Sequence, residues 1–320
     1  MAKIFLTRRL PEEGIKLLEE HDLEIYEEDY PPSKEEIIAG VKGKDALICL
    51  LTDKIDAEVM SASPHLKIIA NYAVGIDNID VKEATKRGIL VTNTPGVLTE
   101  TVADLAWALL MAIARRIVEG DKFMRQGKFK GWAPLLLVGA DIHGKTLGII
   151  GAGRIGRAFA RRAKGFDMEI LYYDKKRNEK LEREMNARFV DLDILLKESD
   201  FVSLHVPLTE ETYHMIGERE LKMMKKTAYL INTARGKCID EKALVRALKE
   251  KWIAGAALDV YENEPEIEPE LVNLDNVVLA PHIGSASYET RSKMAIMVAE
   301  NVLAALRGEI PPQCVNPEAK

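Results

Sequence analysis

Short apolar runs rich in β-branched residues alternate with amphipathic stretches along most of this chain. In the first hundred residues, the runs predict strands at 3–7, 23–26, 46–50, 67–70 and 89–92. Helical periodicity fills the gaps between them, at 11–21 and 33–40 among others. Strands that alternate with helices are typical of βαβ units, so we expect a parallel sheet.

The same alternation returns in the second half of the chain, after a long helical segment. That segment begins near Thr101, ends near Arg116 and is followed by an irregular stretch at 126–144. Further strands are predicted at 145–150, 169–173, 201–205, 228–231, 254–258 and 277–280, with a last amphipathic helix at 288–307. The pattern predicts an α/β protein with two doubly wound parallel-sheet domains.

Length and composition agree with two domains. A chain of 320 residues with 47% hydrophobic residues can form two cores. Its net charge of −6, with no basic cluster interleaved with aromatic residues, argues against a nucleic-acid partner. The longest apolar run, 105–114, is far below the roughly 20 residues that span a bilayer, and residues 1–3 lead into a strand instead of a signal peptide. We expect no membrane partner and a cytoplasmic location.

Three cysteines, Cys49, Cys238 and Cys314, form an odd set without the short spacing of metal ligands. This set is typical of a protein in a reducing compartment, so we interpret the cysteines as buried or incidental thiols and not as a disulfide framework. No metal site is predicted. A charged fraction of 30% and only two glutamines favour a thermophilic source.

A glycine-rich turn follows the strand at 145–150 and opens a helix. It consists of Gly151, Ala152, Gly153, Arg154, Ile155 and Gly156. The first glycine permits a tight turn, the second lets the backbone approach a pyrophosphate, and the third lets helix and strand pack closely. Phosphates then lie at the helix N-terminus, where N–H groups and the helix dipole favour negative charge. In this context a dinucleotide site is predicted instead of a merely structural turn.

An acidic residue, Asp174, ends the next strand eighteen residues after Gly156. A carboxylate there accepts the hydroxyls of an adenosine ribose and repels a 2′-phosphate, which favours NAD over NADP. The basic residues Lys175, Lys176 and Arg177 follow at once and could neutralise such a phosphate, although a solvated loop is the simpler interpretation. NADH is therefore the predicted cofactor, and NADP stays open.

Three loops that directly follow predicted strands supply an arginine, a glutamate and a histidine. They are 232–236 with Arg235, 259–265 with Glu264 and 281–284 with His282. In a parallel sheet such loops meet at the carboxyl edge, where doubly wound folds bind ligands. A guanidinium can bind a carboxylate and a carbonyl oxygen together, an imidazole can protonate a carbonyl oxygen, and a carboxylate can fix the imidazole tautomer.

This arrangement resembles the D-isomer-specific 2-hydroxyacid dehydrogenases, and within them the glyoxylate and hydroxypyruvate reductases. The resemblance covers essentially the whole chain. It implies a flavodoxin-like substrate domain at 1–99 and 286–320 and an NAD-binding Rossmann domain at 100–285. It also implies that the N–H groups of Val74 and Gly75 hold the substrate carboxylate, with Leu51 at the pocket. The remaining implied cofactor contacts are Thr101, Pro207, Thr233, Ala234, Asp259 and Gly284.

An arm of low charge at about 120–144 carries Trp132 and the apolar residues 135–137. In the resembled reductases this arm crosses to a partner subunit, which implies a homodimer formed through the cofactor domain. Trp132 would then reach the substrate pocket of the neighbour and restrict it to small oxoacids. Packing of Trp132 against its own chain is the alternative.

The resemblance leaves several activities open. Glyoxylate, giving glycolate, is the leading substrate, and hydroxypyruvate, giving D-glycerate, comes next. D-lactate and D-3-phosphoglycerate dehydrogenases share the same site residues. An NAD-sensing corepressor-like scaffold is the alternative from another class, and turnover of any 2-oxoacid would separate it from an enzyme.

Overall fold

The computed structural model describes residues 1–28 and 30–320. It divides into two compact units, one formed by Met1–Leu98 with Ser285–Lys320 and the other by Thr99–Gly284. The first unit is therefore built from two separate stretches of the chain.

The described residues contain twelve strands and twelve α-helices. The strands are β1 (Lys3–Leu6), β2 (Asp22–Ile25), β3 (Ala46–Cys49), β4 (Ile68–Asn71), β5 (Leu90–Thr92), β6 (Thr146–Ile150), β7 (Glu169–Tyr173), β8 (Arg188–Phe189), β9 (Phe201–Leu204), β10 (Tyr229–Asn232), β11 (Gly255–Leu258) and β12 (Val277–Leu279). The helices are α1 (Glu12–Ile15), α2 (Lys34–Val41), α3 (Ala57–Ser61), α4 (Val81–Lys86), α5 (Thr99–Ala114), α6 (Ile117–Arg125), α7 (Arg154–Ala163), α8 (Glu179–Met185), α9 (Leu192–Glu198), α10 (Glu218–Met223), α11 (Glu241–Lys249) and α12 (Tyr288–Leu306).

Both units contain a parallel sheet. The first has the strand order β2-β1-β3-β4-β5, which is the flavodoxin-like order. The second has the order β12-β11-β10-β9-β6-β7-β8, the dinucleotide-binding order extended by one strand. Every residue of β3, β4, β9 and β11 is buried, as expected for strands covered by helices on both faces. The predicted α/β class with two doubly wound sheets is confirmed.

Three local features differ from the predicted elements. The edge strand β8 was not predicted, because its two residues are both exposed and form no apolar run. The helix expected at 11–21 is the short α1, followed by a 3₁₀ turn at Lys16–Leu18. Helix α6 was not among the predicted helices, and the stretch beyond it, from 126 to 144, is irregular as expected.

The C-terminal stretch completes the first unit. Helix α12 packs along α1, and the tail after it is held against the edge strand β5. The buried amide of Asn316 accepts the N–H of Val91 at 2.7 Å and donates to the carbonyl of Ile89 at 2.9 Å and the hydroxyl of Thr85 at 2.9 Å. These bonds give β5 the partners that an edge strand otherwise lacks.

The close approach of α1 and α12 depends on Gly14. A Cβ at this position would lie 2.6 Å from the carbonyl carbon and oxygen of Ala295. We expect Gly14→Ala to lower the free energy of unfolding by about 1–3 kcal/mol, as overpacking does, in denaturant-induced unfolding. Gly165→Ala is the control, because no atom lies within 4 Å of its added Cβ. Equal stability of the two variants would contradict the prediction.

Candidate active site

The three candidate loops follow β10, β11 and β12, which are neighbouring strands of the second unit. Arg235, Glu264 and His282 therefore leave the sheet at the same edge, as predicted from the parallel topology. All three belong to Thr99–Gly284, so the second unit contains the whole set.

Glu264 and His282 form a direct hydrogen bond. Nδ1 of His282 lies 2.7 Å from Oε2 of Glu264, and the two side chains are 27% and 26% exposed. The second carboxylate oxygen of Glu264 accepts the backbone N–H of Tyr261 at 2.9 Å. With both oxygens engaged, the carboxylate has one orientation and aligns the imidazole through Nδ1. Nε2 of His282 stays available for another partner.

The charge of Glu264 is stabilised by its surroundings. Burial opposes ionisation of the carboxyl, but the hydrogen bond and charge of His282 hold its pKa below the ordinary value. The Tyr261 N–H and the positive charge of Arg235 act in the same direction. An ionised carboxylate can only accept hydrogen bonds, so Nδ1 of His282 carries the proton between them.

The Arg235 loop is shaped by the last residue of β10. The buried amide of Asn232 donates to the carbonyl of Arg235 at 2.9 Å and accepts the N–H of Ala234 at 3.0 Å. This turn leaves the Arg235 backbone extended, with Nη1 donating to the Ala234 carbonyl at 2.8 Å. The next residue, Gly236, packs on the neighbouring loop so tightly that a Cβ would lie 1.9 Å from the carbonyl carbon of Tyr261.

The turn that carries His282 is held by Asp259. Its two carboxylate oxygens accept the N–H groups of Ile283 and Gly284, each at 2.8 Å. Burial raises the pKa of Asp259, and the two N–H bonds oppose that rise. His282 itself adopts the left-handed conformation, with φ of 54°, which is strained for a residue other than glycine. The predicted cofactor contact of Asp259 stays a prediction, whereas this positioning of the turn was missed.

The glycine-rich turn has the geometry of a phosphate cradle. Gly151 has φ of 97°, and a Cβ there would lie 2.8 Å from the carbonyl of His205. A Cβ on Gly156 would lie 2.0 Å from the carbonyl oxygen of Gly151, so helix α7 can start only because position 156 is glycine. Gly153 has open space around its missing side chain. The helix thus presents the N–H groups of Arg154 and Ile155 at an accessible N-terminus.

Asp174 lies directly beside this turn. Its Oδ2 accepts the N–H of Ala152 at 2.7 Å, and the side chain of Asn178 donates to the carbonyl of Ala152 at 2.8 Å. Asn178 also caps α8, and it was not among the predicted site residues although an asparagine before a helix is a recognisable cap signal. Asp174, the predicted ribose-binding acid, and the glycine-rich turn are therefore joined by a direct hydrogen bond.

Carboxylates already pair with two of the basic residues after Asp174. Lys175 forms an ion pair with Glu211, and Arg177 forms one with Glu182 at 2.8 Å. Both partners of the first pair are exposed, whereas in the second pair Arg177 is exposed and Glu182 is mostly shielded.

The other predicted cofactor residues occupy the ends of neighbouring elements. Thr101 lies in the first turn of α5, and the Pro207 carbonyl accepts the hydroxyl of Thr212 at 2.7 Å in the loop after β9. Oγ1 of Thr233 is buried without a hydrogen-bond partner among the described residues. An orphaned hydroxyl at the carboxyl edge of the sheet that also carries the glycine-rich turn fits a bound dinucleotide, which would supply the missing partner.

The predicted carboxylate-binding loop belongs to the first unit. Asn93 donates to the Val74 carbonyl at 2.7 Å, and Asn71 donates to the Gly75 carbonyl at 2.8 Å. With both carbonyls bound by side-chain amides, the loop has a defined backbone orientation. Leu51 lies in the loop after β3 and is 38% exposed.

The arm of the second unit exposes large apolar side chains. Trp132 is 84% and Leu135 is 86% exposed in the single chain. Such exposure is unusual for side chains of this size.

Metal clusters and membrane-spanning helices are both absent from the described part of the chain. No group of three or more metal-binding side chains occurs in residues 1–28 and 30–320. No helix within the same ranges is long and apolar enough to cross a membrane. None of the three cysteines forms a disulfide, and Cys49 and Cys238 are buried.

Comparisons with known proteins identify the family of this chain. A model of the D-isomer specific 2-hydroxyacid dehydrogenase NAD-binding domain matches residues 107–284. A glyoxylate reductase of Korarchaeum cryptofilum is 63% identical over 320 residues, which cover 99% of this chain and 96% of that protein.

Solved structures are similar to this chain along nearly its whole length. A protein from Thermus thermophilus has a TM-score of 0.92 at 46% identity, covering 98% of this chain and 99% of that one. An NADPH-dependent glyoxylate/hydroxypyruvate reductase from Sinorhizobium meliloti, in complex with NADP and malonate, has a TM-score of 0.86 at 32% identity, covering 99% and 98%. The family model covers more than half of the chain and the relatives align along nearly all of it, so the chain belongs to the D-isomer specific 2-hydroxyacid dehydrogenase family.

Proposed function

We propose that this protein reduces glyoxylate to glycolate with NADH, and hydroxypyruvate to D-glycerate as a second activity. The observation that carries the proposal is the Glu264–His282 hydrogen bond beside Arg235, in the same unit as the dinucleotide cradle. The similarity to glyoxylate reductases along almost the whole chain supports the choice of substrate.

His282 acts as the general acid. When bound, the nicotinamide supplies the hydride that arrives at the carbonyl carbon. The doubly protonated imidazole donates its Nε2 proton to the carbonyl oxygen, which becomes a hydroxyl. The Nδ1 proton stays in its bond to Glu264, so the ring ends neutral and in one tautomer.

Arg235 binds the 2-oxoacid. Its planar guanidinium can donate to the carboxylate and the carbonyl oxygen at once, which orients the carbonyl and favours the negative charge that develops on it. As part of the same proposal, the N–H groups of Val74 and Gly75 bind the substrate carboxylate, and Leu51 contributes to the pocket. The hydrogen bonds from Asn93 and Asn71 to the carbonyls of Val74 and Gly75 support this role, because they fix the orientation of the peptide groups in this loop.

NADH is the proposed cofactor. Asp174 repels a 2′-phosphate, and two of the nearby cations are already paired with Glu211 and Glu182. These ion pairs favour the solvated-loop interpretation of the basic triplet. The contacts proposed for the dinucleotide are Gly151, Ala152, Gly153, Arg154, Ile155, Gly156, Asp174, Lys175, Lys176, Thr101, Pro207, Thr233, Ala234, Asp259 and Gly284.

The exposed arm supports a homodimer formed through the second unit, with Trp132 restricting the pocket of the partner. Each large apolar side chain left in water forgoes about 1.5–3 kcal/mol of burial, which a self-complementary interface recovers. A cytoplasmic location and a thermophilic source stay predictions from composition.

A panel of 2-oxoacids assayed with NADH and NADPH tests the proposed function. Glyoxylate should give the highest kcat/KM, followed by hydroxypyruvate, with pyruvate and phosphonooxypyruvate well below. A higher kcat/KM for pyruvate than for glyoxylate would favour a D-lactate dehydrogenase. A higher kcat/KM for phosphonooxypyruvate would favour a D-3-phosphoglycerate dehydrogenase. Absence of turnover with every oxoacid would favour the NAD-sensing scaffold.

His282→Ala should lower kcat for glyoxylate by about 10²–10⁴, the range for a lost general acid. The dissociation constant of NADH, measured by fluorescence titration, should stay unchanged. His143→Ala is the control, because His143 pairs with Asp167 at the surface of the same unit. Turnover of the His282 variant close to that of the control would refute the assignment.

Asp174→Ser should raise the NADPH/NADH ratio of kcat/KM by about 10-fold, because it removes a like charge beside the 2′-phosphate. Asp167→Ser, an exposed aspartate of the same unit, should leave the ratio unchanged. A wild-type preference for NADPH would show that the basic residues dominate and that the proposed cofactor is wrong.

Trp132→Ala should raise kcat/KM for a bulky 2-oxoacid relative to glyoxylate by about 10-fold, since several methylene groups gain space. Sedimentation should show a dimer for the native protein. Tyr288→Ala removes another exposed aromatic ring, on α12, and should leave the substrate profile unchanged. A native monomer would contradict the dimer, and an unchanged profile would contradict the proposed role of Trp132.

A further inference from the structure

A turn before α10 bonds through its backbone to the loop that carries Arg235. The N–H of His214 donates to the carbonyl of Lys237 at 2.8 Å, two residues beyond Arg235. The N–H of Ile216 donates to the carbonyl of Cys238 at 3.1 Å, and the carbonyl of Ile216 accepts the N–H of Asp240 at 3.0 Å. The turn and the segment after Arg235 thus form a short parallel ladder.

The side chain of His214, in the same turn, reaches the loop that carries Glu264. Nε2 of His214 lies 2.8 Å from Oε1 of Glu262, two residues before Glu264. The second oxygen of Glu262 accepts the N–H of Glu241, the first residue of α11, at 3.2 Å. His214 and Glu262 are 30% and 19% exposed, so this pair is better shielded than the ion pairs on the outer surface.

His214 is held in a single arrangement. Its backbone has φ of 49°, a conformation that costs free energy for any residue other than glycine. Its ring stacks on Tyr213 with centroids 4.0 Å apart and planes 14° apart. Backbone strain together with a fixed ring indicates that the surrounding contacts determine the position of this side chain.

Glu262 has no other side-chain partner of opposite charge among the bonds of this cluster. Its N–H donates to the carboxyl of Glu241 at 3.4 Å, and Oε1 of Glu241 is buried without a partner in the described part of the chain. Burial, and after it the charge of Glu262, raises the pKa of Glu241. The Glu241 side chain therefore repels the Glu262 carboxylate, and among the side chains of this cluster His214 is the one that attracts it.

We propose that His214 is a positioning residue for the reaction, because its bond to Glu262 fixes the loop at 261–265 and, through Glu264, the ring of His282. The inference rests on the proposed function. The close contact of Gly236 with Tyr261 supports it, since the Arg235 and Glu264 loops touch there and a displacement of one displaces the other.

The test compares two substitutions of His214. His214→Phe keeps a ring on Tyr213 and loses Nε2, and should lower kcat per NADH-binding site by about 10-fold, as expected for a displaced catalytic group. His214→Gln keeps an N–H donor and should recover kcat to within about 3-fold of the wild type. The KM for NADH should change less than about 2-fold in both variants. His143→Phe, which breaks the surface pair with Asp167, is the matched control and should keep full kcat.

Epistasis shows whether His214 acts through Glu264. In a Glu264→Gln background, His214→Phe should lower kcat by less than about 2-fold, because the group that it positions is already neutral. If His214→Phe fails to fold, Glu262→Leu, which removes the acceptor of the His214 bond, should reproduce the loss in kcat. A lower melting temperature with unchanged kcat per NADH-binding site, or a full loss of about 10-fold in the Glu264→Gln background, would overturn the proposal.

A measurement without turnover separates this inference from the proposed function. If the wild type prefers another 2-oxoacid, the variants are compared on that substrate. If it turns over none, the proposed function fails, and the nitrogen chemical shifts of the His282 ring decide the inference. Those shifts should change in His214→Phe and not in His143→Phe, and identical shifts in both would overturn it.

Discussion

Three parallel strands that end at the same level determine where the chemistry of this protein takes place. In the sheet register, Asn232 of β10 pairs with Leu258 of β11, and Leu258 pairs with Leu279 of β12. Neighbouring strands are about 4.8 Å apart, so chains that leave the sheet together must form adjacent loops. The site residues follow within six positions of these strand ends. Burial of the apolar strands thus sets the geometry of polar residues that contribute little to packing.

Polar contacts inside these loops then refine what the sheet has placed. A side chain binds backbone N–H groups of each loop: Asn232 does so in the first loop, Glu264 in the second, and Asp259 of the second loop does so in the third. Such contacts operate in a partly dry environment, where they are stronger than in water. The exposed Arg9–Glu27 pair, with side chains 52% and 60% in solvent, illustrates the weaker kind. The strained conformation of His282 persists because Asp259 holds the residues that follow it.

The predictable part of the structure is the part that local pattern encodes. Eleven predicted strands are present with ends that differ by at most one residue, because buried strands in a parallel sheet are continuous apolar runs. The glycine turn and the arginine, glutamate and histidine were found because each directly follows such a run. Strand β8 has no apolar run to reveal it.

Long-range partners could not be predicted from local pattern. Asp259 reaches the turn at His282 across more than twenty residues, and His214 reaches Glu262 across nearly fifty. Neither spacing is a sequence motif, because the fold and not the chain brings these residues together. The carbonyl contacts around Val74 and Gly75 are different, since Asn71 lies only four residues from Gly75 and could have been suspected.

The two-part construction of the first unit has a consequence for biosynthesis. The ribosome synthesises the chain from its N-terminus, so β1 to β5 emerge long before α12 and Asn316. Helix α1 needs α12 as its packing partner, and β5 needs Asn316. The second unit, Thr99–Gly284, is continuous and is fully translated before α12. It can therefore fold while residues 1–98 still lack α12 as a packing partner. During that interval an apolar face of the nascent N-terminal sheet is uncovered, and the residues that cover it are translated only after the whole of the second unit.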